Sequence, residues 1–92
     1  MIGLERINED LLSEIIRHNG EAIVFSLESK KESINRIINY LESIGIKNID
    51  ELLKYEIDIF LRDLSSVKKM IQPDDIDLIN SINDDCACVE DI

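Results

Sequence analysis

Residues 14–34, EIIRHNGEAIVFSLESKKESI, align without a gap on residues 51–71, ELLKYEIDIFLRDLSSVKKMI, at an offset of 37. Of the 21 aligned pairs, five are identical: Glu14/Glu51, Leu27/Leu64, Ser29/Ser66, Lys31/Lys68 and Ile34/Ile71. Eight more keep their chemistry, among them Ile15/Leu52, Ile16/Leu53, Arg17/Lys54, His18/Tyr55 and Ile23/Phe60. A period of this order is the signature of stacked supersecondary units, none of which can bury its apolar face alone. The expected fold class is therefore all-α, a small helical-repeat, solenoid-like bundle of two units with flanking capping helices.

Apolar periodicity supports helices on both sides of the repeat. Leu4, Ile7, Leu11, Leu12, Ile15 and Ile16 recur at three- and four-residue steps and form a first stripe, stopped by Asn19 and Gly20. Ser29 with Glu32 reads as a capping box for a second stripe, Ile34, Ile37, Ile38, Leu41 and Ile44, closed by Gly45. Asn48 with Glu51 opens the next helix in the same way and buries Ile49, Leu52 and Leu53. Leu64, Val67, Met70 and Ile71 follow until Pro73, which cannot continue a helix. Asp74 is then the expected cap of a last helix with Ile76, Ile79 and Ile82 inward. The short apolar runs 22–27 (AIVFSL) and 57–61 (IDIFL) are compatible with strands or with short buried helical turns. A lone strand has no partner here, so a single helical turn is preferred, with a two-stranded pairing as the alternative.

Ninety-two residues form one domain, 1–92, and such a chain buries roughly 60 to 65% of the surface that its unfolded form exposes. Two repeats are fewer than the roughly three that usually seal such a core. The first helix and residues 74–82 are therefore expected to act as caps over Leu4, Ile7, Ile76 and Ile79, in a monomer or a dimer. No apolar run approaches the roughly 18 residues of a membrane span, and residues 1–16 lack a basic start followed by an apolar stretch. The expectation is a soluble cytoplasmic protein without a membrane partner.

The net charge of −10 is unevenly distributed. Residues 74–92 carry seven acids and no base, whereas residues 1–73 carry 13 acids against all ten bases. An acidic C-terminal tail over 83–92, preceded by Asp74, Asp75 and Asp77 and containing Asp84 and Asp85, is the polar feature most able to choose a partner. It reads either as a solubilising end or as attraction toward a basic protein surface, including the nucleic-acid site of another protein.

Catalytic and metal chemistry find little to work with. His18 is the only histidine and its repeat partner is Tyr55, so an aromatic packing position explains it better than a general base. Three glycines make no phosphate loop. Cys86 and Cys88 lack a second Cys pair for a closed zinc site, and their acidic neighbours raise rather than lower thiol pKa. They read as reduced, small apolar residues. No enzyme, cofactor or metal is expected.

The order of long helix, break, short apolar turn, Ser-Leu-Glu and capped helix resembles the repeat of the mitochondrial transcription termination factor family. The stretches that carry the resemblance are 17–28 (RHNGEAIVFSLE), 40–46 (YLESIGI) and, more loosely, 54–64 (KYEIDIFLRDL), within residues 11–79. It implies a curved all-helical solenoid that binds nucleic acid through bases on one surface. The residues that would serve are Arg17, Lys54, Lys31 and Lys68, with Lys30 and Lys69 beside them. This chain departs from the family by placing Gly20 and Ile57 at the repeat's proline position, by holding two repeats, and by being acidic. Phosphate neutralisation dominates nucleic-acid affinity, so the charge opposes that function more than the fold. A protein-interaction module acting as inhibitor or adaptor is the favoured expectation, and a nucleic-acid binder the alternative.

Overall fold

The computed structural model describes residues 7–91. Its elements, in order, are α1 (Glu9–Asn19), α2 (Ile23–Ser29), α3 (Lys31–Ser43), α4 (Ile49–Tyr55), a 3-10 helix (Ile57–Leu61), α5 (Leu64–Met70), α6 (Ile76–Asp84) and a final 3-10 helix (Cys86–Asp91). No strand occurs among the described residues, so both short apolar runs are helical. The first forms the two turns of α2 rather than one, and the second a 3-10 helix.

Backbone chemistry sets most boundaries. Asn8 caps α1 by accepting from the Leu11 amide at 2.8 Å, and Glu9 and Asp10 complement the helix dipole. Gly20 (φ 88°) and Gly45 (φ 105°) take positive φ at the two helix ends where the sequence places stops. Pro73 lies just past α5, which ends at Met70, and Ile71 is already extended.

Three expected caps are displaced. Ser29 is the last residue of α2, not the cap of α3; the Lys30 amide still reaches the Ser26 carbonyl, so α2 and α3 are separated by Lys30 alone. Asn48 stands at the start of α4 but does not cap it. Its Nδ2 donates to the Ile82 carbonyl at 2.7 Å, spending the side chain on a tertiary bond. Asp75, rather than Asp74, caps α6 by accepting from the Leu78 amide at 3.3 Å.

The core is aliphatic around one aromatic ring. Ile15, Leu27, Ile34, Ile37, Leu41, Leu52, Leu53, Phe60, Ile71 and Ile82 are wholly buried, and no polar or charged side chain is buried with them among the described residues. The repeat pairs Ile15/Leu52 and Ile34/Ile71 are buried on both sides, whereas Leu27/Leu64 and Ile16/Leu53 each combine one buried and one half-buried member. The radius of gyration, 12.5 Å, is that of a single domain of this length.

The caps are only partly as expected. Ile7 and Ile79 join the core, and Leu4 lies outside the described residues. Ile76 is 65% exposed, contrary to its expected inward position. α6 is fastened by its C-terminal half: Asn83 accepts from the Lys47 amide at 2.7 Å and donates to the Gly45 carbonyl at 3.0 Å, beside the Asn48–Ile82 bond. Its first turn projects past these anchors. The expected acidic tail is likewise docked, because Cys86 and Val89 of the last 3-10 helix are buried against the core.

Candidate functional site

The five carboxylates singled out from the sequence, Asp74, Asp75, Asp77, Asp84 and Asp85, are all exposed. They sit at the two ends of α6, which spans about 12 Å at 1.5 Å per residue. Asp75 is partly committed to its capping bond, and Asp85 accepts from the Ala87 amide at 3.0 Å. Asp74 lies near Tyr40, whose hydroxyl donates to the Ile71 carbonyl at 2.8 Å; burial first and Asp74 second raise the phenol pKa.

A second acidic group, not evident in the sequence, meets the first at the C-terminal end. Glu56 shares a side-chain hydrogen bond with Glu90 of the final 3-10 helix. Burial pushes the Glu56 carboxyl up, and Glu90, Asp58 and Asp85 push it further. The neighbouring Cys86 thiol is raised chiefly by its burial, then by Glu51, Glu56 and Asp85, so it stays a thiol. A hollow of about 240 Å³ lies between Glu56, Asp58 and Glu90, with Met70 and Val89 also in its lining and Arg62 beside them. Residues from α4, both 3-10 helices and α6 thus compose one acidic face.

The four bases of the alternative reading do not form a row. Arg17 pairs with Glu14, and Lys54 lines a hollow with Asp10, Glu14 and Asp50. The Lys54 ammonium also lies 5.6 Å from the Tyr55 ring centroid. Lys68 stands the same distance, 5.6 Å, from the ring of Tyr40. Tyr40 is nine residues along α3 from Lys31, about 13 Å away along the axis, so the repeat-equivalent bases Lys31 and Lys68 stand apart.

Lys31 instead shares a hollow of about 480 Å³ with Lys30, Arg36 and Arg62. The Lys30 ammonium donates to the Leu61 carbonyl at 2.9 Å and holds this stretch of the second repeat against the start of α3. Sequence reasoning missed Arg36 and Arg62, because at the repeat offset they align with Pro73 and Phe25 rather than with other bases. Among the described residues, no three His, Cys, Asp or Glu side chains are grouped so as to hold a metal. His18 is engaged edge to face with Tyr55. No described helix is long and apolar enough to cross a membrane. Comparison with protein-family models, curated proteins and solved structures finds no match to this chain.

Proposed function

We propose that this chain is a non-enzymatic, two-unit helical-repeat module whose acidic face engages a basic protein surface, as an inhibitor or adaptor. The repeat reading draws support from the hydrogen bonds between distant segments. Asn19 to Lys54, Lys30 to Leu61, Tyr40 to Ile71, Asn48 to Ile82, and Asn83 with Gly45 and Lys47 all span 31 to 38 residues, about one period. Equivalent helices α1 and α4 lie together with their C-terminal ends matched. A solenoid of the kind seen in mitochondrial transcription termination factors is the arrangement this favours.

The observation that carries the functional reading is the convergence of Asp85 and Glu90 with Glu56 and Asp58, close enough for two carboxyls to share a hydrogen bond. Concentrated like charge on a folded face steers encounters with an oppositely charged surface. Arg17 and Lys54, two of the four bases needed for the nucleic-acid alternative, are set among carboxylates. That weakens the alternative.

Surface plasmon resonance against an immobilised Lys/Arg-rich peptide and against duplex DNA tests the choice. The expected result is salt-sensitive peptide binding, with an on-rate about tenfold lower when Asp74, Asp75, Asp77, Asp84 and Asp85 are changed to Asn. Tight DNA binding that disappears when Arg17, Lys31, Lys54 and Lys68 are changed to Ala would reverse the assignment.

A further inference from the structure

We propose that the hollow between the start of α3 and residues 61–63 is a binding site for a compact, multiply charged anion of the phosphomonoester type. It adjoins the acidic face, because Arg62 also lines the hollow of Glu56, Asp58 and Glu90, but its own lining adds Lys30, Lys31 and Arg36. Lys31 and Arg36 belong to α3, and Arg62 comes from the turn after the 3-10 helix. Among the described residues these three cations make neither an ion pair nor a hydrogen bond. Arg17, paired with Glu14, is the one described cation in an ion pair, so these three are not singled out by being unpaired but by lining one hollow together. Glu28, Glu32 and Asp63 border the same hollow, yet none of them closes on a neighbouring cation.

The hollow is held open by a bond outside the proposed contacts. Lys30 donates to the Leu61 carbonyl at 2.9 Å, which fixes the backbone next to Arg62, a residue lining the hollow with Lys31 and Arg36. Two arginines lining one space offer guanidinium forks that suit the paired oxygens of a phosphate, and Ser29 and Ser33 of the same lining offer hydroxyl donors. At about 480 Å³ the space matches a small-molecule site.

The bordering carboxylates choose among phosphate ligands. Glu28, Glu32 and Asp63 line the same hollow, so duplex nucleic acid, with one charge per roughly 1.7 Å of axis, meets more repulsion there than one phosphate does. A single phosphomonoester brings one phosphate to the arginines and no second one to the carboxylates.

The test is a titration of the whole protein with phosphoserine, followed through backbone amide shifts in proton–nitrogen NMR, with serine as the uncharged-side-chain counterpart. Saturable shifts confined to residues 28–36 and 61–63, with Kd on the order of 1 mM and absent with serine, are expected. The paired substitution Arg36→Gln and Arg62→Gln should weaken binding by about tenfold or more, with an unchanged melting temperature. Arg17→Gln should leave the Kd unaltered, and the five-Asn variant of the acidic face should bind phosphoserine undiminished, which separates this site from that reading. Scattered or non-saturating shifts, or full affinity in the Arg36/Arg62 variant, would overturn the proposal. Tighter occupation of the same residues by a DNA oligonucleotide would overturn it too, by making the ligand a polymer.

Discussion

His18 and Tyr55 occupy the same position in the two sequence repeats, and their rings meet edge to face with centroids 4.7 Å apart at 66°. Directly beside them, Asn19 Nδ2 donates to the Lys54 carbonyl at 3.2 Å. The contact is thus a junction between the ends of α1 and α4 made by the repeated position itself. An aromatic pair contributes about 0.5–1.5 kcal/mol beyond its buried area, less at a wet site such as this. A double-mutant cycle on His18→Ala and Tyr55→Ala by urea denaturation should give a coupling of about 0.5 kcal/mol. Strict additivity would show that the rings only happen to be neighbours.

Ile34 and Ile71, aligned in the sequence at an offset of 37, are both fully buried, the first inside α3 and the second just past α5, and both should be sensitive to truncation. Ile34→Ala and Ile71→Ala are each expected to cost about 2–4 kcal/mol, from lost transfer energy and the cavity left behind. Ile76→Ala, at a 65% exposed site, should stay within about 0.5 kcal/mol of the parent. Chemical denaturation of the three variants side by side checks the order.

Gly20 closes α1 at φ 88° and ψ 162°, a region open essentially to glycine alone. A Cβ there meets nothing within 4 Å, so any penalty is backbone strain rather than a clash. Gly20→Ala should therefore destabilise by about 1–3 kcal/mol. A melting temperature equal to that of the parent would show that the turn relaxes freely.

The Glu56 carboxyl is raised above its ordinary value of 4.5 by burial and then by its acidic neighbours, so the folded state holds this proton more tightly than the unfolded chain. The sign follows: this contribution is fully present below 4.5 and is lost as pH rises through the raised folded value. Glu56→Gln should flatten that loss and raise the melting temperature at neutral pH. Thermal melts across the acid range, at low and high salt, provide the check, and added salt should shrink the difference.

Helix stops were the most legible feature of the sequence, because Gly20, Gly45 and Pro73 act through their own backbone chemistry. Burial was legible in part from the sequence repeat: Ile15/Leu52 and Ile34/Ile71 are buried on both sides, but Ile16/Leu53 and Leu27/Leu64, also expected to be buried, each keep one half-buried member. Caps were harder to place. Whether Ser29 ends one helix or begins the next turns on the backbone of Lys30 alone, and Asn48 serves a distant carbonyl instead of its own helix. The acidic face could not be read in full because Glu51, Glu56 and Asp58 join Asp85 and Glu90 only after the last 3-10 helix has docked. Arg36 and Arg62 escaped notice because no base stands at their offset positions.

Fastening at a separation of one period has a kinetic consequence. Bonds such as Asn19 to Lys54 and Asn48 to Ile82 close loops of nearly equal length, 35 and 34 residues, that overlap only over residues 48–54. Loop-closure entropy grows only with the logarithm of length, so neither closure has a large head start over the other. Loop closure by itself therefore favours neither end as the starting point. A destabilising change in one half should then divert the flux to the route that starts in the other, and the overall rate would fall by less than the loss of stability suggests.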